Sequence, residues 1–238
     1  MAAQNILPDP NNTITSSGNA SSGTAGPGYA SVRVTSKQPI MQTRTNAGVL
    51  TSRNQMYHMW ELNIKYNPLT EEEFLPIYSF LLEKESSLKP FKVALPQYSS
   101  NQDAFIVSSS SYLAGSTQLT VSSGSAAVVN NAKVGDLFTI IDPNNSAHTK
   151  AYKVIRVETN TDTHHDATNN TAPTPVGDER RITFIPPLAH SVANDGTAKQ
   201  INLTNPLIQV VQKGSTQQYE LTKDGLYKFS LKLEEAQY

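Results

Sequence analysis

The residues best equipped for chemistry are five histidines. His164 and His165 lie between Asp162 and Asp166, two imidazoles and two carboxylates that could in principle hold zinc or nickel. Adjacent residues in a polar loop are poorly held, and no spaced second pair of the His-Glu-x-x-His kind completes the set. His58 precedes an alternating segment and reads as a packing or edge residue, while His148 and His190 fall in turns and read as exposed. Hydroxyls are plentiful at Ser108 to Ser111, but no Gly-x-Ser-x-Gly elbow occurs and no histidine is spaced to activate a serine. Glu71, Glu72 and Glu73 suit the first turn of a helix, where the macrodipole favours negative charge. Glu83, Glu85, Glu234 and Glu235 read as solvated charges. Gly18, Gly23, Gly26 and Gly28 stand in a low-complexity stretch, not between a strand and a helix, so they form no phosphate cradle. The chain has no cysteine, which removes thiol nucleophiles, thiolate metal sites and disulfides. The reading is therefore of a non-enzyme with no catalytic, cofactor-binding or metal-ligating residues and no cofactor.

The elements that would have positioned such groups are easier to read. Trp60, Leu62, Ile64 and Tyr66 alternate with Glu61, Asn63 and Lys65, the period of a strand buried on one face. That burial places Trp60 in the core; an exposed Trp60 would instead suit a sugar-stacking platform. Asn67-Pro68 ends the strand. Thr70 with Glu73 fits a capping box and Leu69 with Phe74 a hydrophobic staple, so a helix should start near Glu71. Phe74, Ile77, Tyr78, Leu81 and Leu82 form its apolar stripe, and Pro76 predicts a kink or a restart. Phe91, Val93 and Leu95 form a second strand, giving strand, helix, strand. Beyond Ser99 short strands alternate with Gly, Asn, Asp and Pro punctuation, as in a barrel or sandwich. Strands are expected at Thr117 to Val121, Leu137 to Ile141, Tyr152 to Val157, Ile182 to Ile185 and Leu207 to Val211. The second and third of these are apolar on both sides, the mark of a central position. Tyr227, Phe229, Leu231 and Leu233 alternate with Lys228, Ser230, Lys232 and Glu234. Thr159 to Glu179 is long and polar for a connection within a compact domain, and reads as an exposed excursion or a partner-meeting loop.

Composition agrees with this grammar. The chain has 238 residues, 37% hydrophobic and 16% charged, where an average globular chain carries about 25% charge. Ser, Thr, Asn and Gln take the place of charge, which favours strands and turns over long helices. Nineteen basic and twenty acidic residues give a net charge of -1 with no evident segregation along the chain, and so no footprint for nucleic acid. No run approaches the roughly 18 apolar residues of a membrane span. The start, MAAQNILPDPNN, lacks the basic and apolar regions of a secretion signal, so synthesis in a cytoplasm is expected. From Pro8 to Gly28 nearly every residue is Asn, Thr, Ser, Gly, Ala or Pro, a composition that cannot bury enough apolar surface to offset ordering. An assembly arm that orders against a neighbouring subunit is the expectation there.

The segment MYHMWELNIKYNPLTEEEFLPIYSFLLEKESSLKPFKVALPQY resembles the N-terminal module of structural proteins from the tail tips and baseplates of tailed bacteriophages, nearest the distal tail protein. The matching residues are Trp60, Tyr66-Asn67-Pro68, Phe74, Phe80-Leu81, Phe91, Val93, Leu95 and Pro96. Val134-Gly135-Asp136-Leu137, Tyr152-Lys153-Val154, Ile182 to Leu188, Tyr227-Lys228-Phe229 and Glu234-Glu235-Ala236 are similar to the remainder, so the resemblance covers about residues 29 to 238. It implies a virion tail component made in the host cytoplasm: a ring of the chain with itself, six-fold, joining the tail tube protein to the other tail-tip or baseplate proteins. The resulting expectation is a mostly β, α+β protein with one principal helix. Residues 1–28 would be the arm, 29–100 with 201–238 the ring module, and 101–200 an inserted small β-barrel or sandwich. Two alternatives remain open at this point. A carbohydrate-binding module for host-surface attachment would need exposed aromatics on the barrel, and a cell-wall hydrolase would need one indispensable carboxylate or histidine.

Overall fold

In the computed structural model, the described residues are 5–10, 28–54, 57–95, 104–106, 111–122, 132–158, 179–204, 206–214 and 217–236. They form a mostly β protein with one helix among them. The strands of the body are β1 (Tyr29–Lys37), β2 (Ile40–Arg44), β3 (Leu50–Asn54), β4 (Met59–Tyr66) and β5 (Phe91–Ala94), and α1 (Glu71–Glu83) lies between β4 and β5. Next come β6 (Ala104–Ile106), β7 (Gln118–Ser122), β8 (Leu137–Ile141), β9 (Ala151–Glu158), β10 (Arg180–Ile185) and β11 (Gln200–Asn202). The chain then returns through β12 (Leu207–Gln212), β13 (Tyr219–Leu221) and β14 (Tyr227–Glu235).

The first layer is an antiparallel sheet in the order β1-β4-β14-β12-β5, with β13 paired to the start of β14. The alternation on β4 and β14 is what makes it one-sided. Trp60, Leu62, Ile64 and Tyr66 face a common core with Phe229, Leu231 and Leu233, while Lys65, Ser230 and Lys232 face out. α1 covers the apolar face, inserting Phe74, Ile77, Phe80 and Leu81. Phe74 stacks on Tyr227 at 4.5 Å between centroids and meets Phe229 edge-on at 5.6 Å. The helix starts where the capping box requires: the Glu73 carboxylate accepts the Thr70 backbone N–H at 2.8 Å and its hydroxyl at 3.0 Å.

The helix runs through Pro76 as one element, without a restart. One expectation for α1 is corrected. The buried stripe takes Phe80 in place of Leu82, which is 54% exposed. The reason is rotational: successive helical residues turn by about 100°, so with Phe74, Ile77 and Leu81 facing the sheet, Leu82 swings to the solvent side.

The second unit is a closed barrel in the order β10-β7-β6-β11-β8-β9. Its interior is filled by Leu119, Val121, Phe138, Ile140, Tyr152, Val154, Ile182, Phe184 and Ile201, so it is a packed core with no channel. β8 and β9 are apolar on both sides for two reasons. Phe138 and Tyr152 fill the barrel, whereas Ala151 and Leu137 pack outward against the sheet core. The barrel interrupts a strand pair: β5 and β12 are antiparallel neighbours, with Leu207 opposite Ala94 and the Leu95 N–H donating to the Pro206 carbonyl at 3.0 Å. The chain therefore leaves the sheet and re-enters it side by side, and the insertion leaves the ladder intact.

Part of the stretch read as an arm belongs to this body. Ile6 bridges in parallel to Lys92, the Leu7 N–H donates to the Lys92 carbonyl at 2.8 Å, and Leu7 is buried in the sheet core. Asp9 accepts the Gly28 N–H at 2.8 Å, linking the segment to the start of β1. The polar composition counted from Pro8 leaves out Ile6 and Leu7, the two residues that dock. Residues 11–27, with most of the predicted arm, lie outside the described residues, as do most of the Thr159 to Glu179 loop and His164-His165.

Candidate functional site

Among the described residues, the groups singled out for chemistry do not converge on a reacting centre. His58 is buried and holds an edge-on contact with Trp60 at 4.5 Å between centroids. Its Nε2 lies 2.9 Å from the Ser36 hydroxyl. Burial, then the Lys150 ammonium, pulls its pKa from 6.5 down to about 4, so the ring is neutral at pH 7. His148 is buried, not exposed as its turn context suggests. It lies 3.8 Å from the Asp142 carboxylate, and burial lowers its pKa. Among the described residues no group of three or more His, Asp or Glu side chains could enclose a metal ion.

Glu235 is also corrected, from solvated charge to buried anchor. At the end of β14 its Oε2 accepts from Lys150 Nζ at 2.9 Å and from the Trp60 backbone N–H at 3.2 Å. Burial raises its pKa, against the opposing pull of Lys150. Lys150 also donates to the His58 carbonyl at 2.8 Å, and Trp60 Nε1 donates to the Ala151 carbonyl at 2.8 Å. These bonds clamp the start of β9, on the barrel, to β4 and β14, on the sheet. A cleft of about 590 Å³ opens beside the clamp, lined by Tyr57, His58, Lys150, Pro186, Pro187 and Glu235 among others. Its charged groups are spent on the clamp. The arrangement holds two units in a fixed relation and offers neither a nucleophile with a base nor an oxyanion hole.

The surface tells more. Between β1 and β4 the chain makes a two-stranded ribbon of β2 and β3, joined by a tight turn in which the Thr45 N–H donates to the Val49 carbonyl at 2.9 Å and Gly48 takes φ +79°. Every described side chain on the ribbon is exposed, including Ile40 at 53%, Met41 at 58%, Val49 at 61% and Leu50 at 55%. A two-stranded hairpin is marginal alone in water, and this one carries four exposed apolar side chains, with Ile40 and Leu50 on one face and Met41 on the other. Sequence reasoning missed β1, β2 and β3. The available signals were the alternating Val32 and Val34 and a stretch rich in Thr and Ser ending on Gly48-Val49-Leu50.

On the barrel, the described aromatics give little to a sugar platform. Phe138, Tyr152 and Phe184 are interior, Tyr112 is half-buried, and Phe105 is 43% exposed. Trp60, the other sugar-stacking candidate, is only 3% exposed. No helix among the described residues is long and apolar enough to cross a membrane.

Residues 7–98 match the family model described as distal tail protein pb9, A domain, N-terminal. No curated protein matches the chain. The matched span covers β1 through β5 with α1 and begins at the buried Leu7, so it takes in part of the stretch that the sequence resemblance left out. Over these residues the resemblance to the distal tail protein of tailed phages holds, and it supports a structural role in a phage tail. The barrel lies beyond the match.

Proposed function

We propose that this chain is the subunit of a distal-tail-type ring, six-fold, that joins the tail tube to the adsorption apparatus in the virion, with no catalytic step of its own. The observation that carries the reading is the family match over residues 7–98, the very span that contains the exposed ribbon. The sheet body, residues 29–100 with 201–238, forms the ring, and the inserted barrel, residues 101–200, hangs from it on the Lys150–Glu235 clamp. Residues 11–27 drape over a neighbouring subunit. Ring interfaces pair unlike patches head to tail and close only when the rotation between neighbours divides the circle.

Native mass spectrometry of the pure protein, with cryo-EM of purified virions, tests the reading. A particle of six copies, seen as a ring between tube and tip, is the expected result. A stable monomer that is also absent from virions would end the proposal. A chain lacking only residues 11–27, which keeps Leu7 in the sheet core, tests the arm: it should melt like the full chain yet join tails poorly, and normal yield and infectivity would remove the draping role.

A further inference from the structure

We propose that the β2–β3 ribbon of one copy lies along the outer face of α1 of the next copy, a partner assignment that rests on the ring reading above. Both surfaces are exposed and apolar within a protomer. In the ribbon register Arg44 stands opposite Leu50, so Ile40, Arg44 and Leu50 share one face. On α1 the residues turned away from the sheet are Leu75, 46% exposed, and Leu82, 54% exposed, with the half-buried Tyr78 beside them. Tyr219, 49% exposed and 5.3 Å from Tyr78 between ring centroids, extends the strip.

Charge then selects how the copies pair. Residues 29–60 carry Arg33, Lys37, Arg44 and Arg53 and no acidic residue. Residues 67–88 carry five glutamates against a single cation, Lys84, whose side chain is buried over the Phe80 ring. The overall balance of -1 thus hides a local segregation that a running reading of the sequence did not reveal. Among the described residues, Arg44, Arg53, Glu71 and Glu72 make no ion pair within the protomer. Two ribbons facing each other across a two-fold axis would set cation against cation. Ribbon on helix sets Arg44 against Glu71, Glu72 and Glu83, and it joins unlike patches, as a ring requires. The dimensions agree as well: Ile40 to Arg44 spans about 13 Å of strand at roughly 3.3 Å per residue, and Leu75 to Leu82 about 10 Å of helix at 1.5 Å per residue.

The absence of native cysteine makes the test clean. The full chain carrying Leu50→Cys together with Leu75→Cys, oxidised at low protein concentration, should give a ladder of cross-linked copies ending at the ring number on a non-reducing gel. A mixture of the two single variants should stop at dimers. Separately, Arg44→Glu should shift the native mass toward monomer without lowering the melting temperature, Glu71→Lys with Glu72→Lys should do the same, and the three changes together should restore the wild-type particle. A ring that persists in all variants, with cross-links absent or confined within single chains, would overturn the docking and leave the ring reading standing. A wild-type chain that is monomeric and missing from virions would overturn both. Cross-linking of Leu50→Cys to itself alone would indicate the two-fold pairing and also defeat the proposal.

Discussion

The barrel and the sheet are built from the same kinds of residue but end differently. Each barrel strand is hydrogen-bonded on both sides, since the order β10-β7-β6-β11-β8-β9 closes on itself. The sheet is covered along β5 by Asn5 to Leu7, yet β1 has no ladder partner on its outer edge among the described residues, and the β2–β3 ribbon stands clear of it. A closed barrel abolishes edges and so uses its bonding capacity internally. An open sheet with an exposed ribbon keeps capacity for another chain. In the proposed ring, the difference assigns assembly to the sheet body, with the barrel as a self-contained attachment.

The sharpest break of that comparison is at the residue both units share. Trp60→Ala should destabilise the fold by about 3 to 5 kcal/mol, the range for deleting a buried large aromatic, because it opens a cavity and leaves the Ala151 carbonyl without its donor. Denaturant midpoints measure this, and an unchanged midpoint would mean that the sheet core does not depend on the clamp. Leu119→Ala comes next, at about 2 to 5 kcal/mol, because Leu119 is fully buried inside the barrel. Hydrogen exchange should place the loss in β7 and its neighbours while the α1 amides stay protected. Equal loss in α1 would show that the two cores melt as one.

A smaller effect should follow acid. Folded His58 binds its proton near pH 4 and the unfolded ring near 6.5, so the unfolded chain protonates first as pH falls. The stability it contributes is fully present above pH 6.5 and is lost progressively toward pH 4. Glu235 works with the opposite sign, because its raised pKa makes the folded state take up a proton more readily on acidification. Melting temperature against pH for wild type and His58→Gln should therefore diverge between pH 6.5 and 4, with the variant flatter; parallel curves would dismiss His58 as the titrating group. The smallest effect is expected on the ribbon. Leu50→Ser should change stability by no more than about 0.5 kcal/mol, as for an exposed site, so any loss of assembly there cannot be blamed on folding. A large loss of stability would instead mean that the ribbon is held by its own protomer.

Legibility followed the strength of local periodicity. β4, β14 and the start of α1 could be read directly, because each face of an alternating strand, and each partner in a capping box, is announced within a few residues. β1, β2 and β3 carry weaker patterns, since β2 and β3 have no buried face to enforce alternation. β6, β11 and β13 are three residues each, too short to show a period. Glu235 and His148 misled for a different reason: Glu235 is buried against Lys150 and Trp60, and His148 meets the His190 ring edge-on at 5.8 Å, partners far along the chain that only folding brings to them.

By itself the sequence determined the mostly β class, the single principal helix with its cap, the core role of Trp60, the change of grammar near Ser99 and the resemblance to a phage distal tail protein. All of these depend on residues close together in the chain. Tertiary structure alone decided that the second set of strands closes into a six-stranded barrel, that β5 and β12 lie side by side so the insertion leaves the sheet unbroken, and that Leu7 completes the sheet core. It also decided which leucines of α1 face outward and that the basic ribbon and the acidic helix face both stand exposed. Such facts depend on pairings between residues tens to hundreds of positions apart, where the cost of closing a loop grows only slowly with its length, and nothing in a short window records which closure wins.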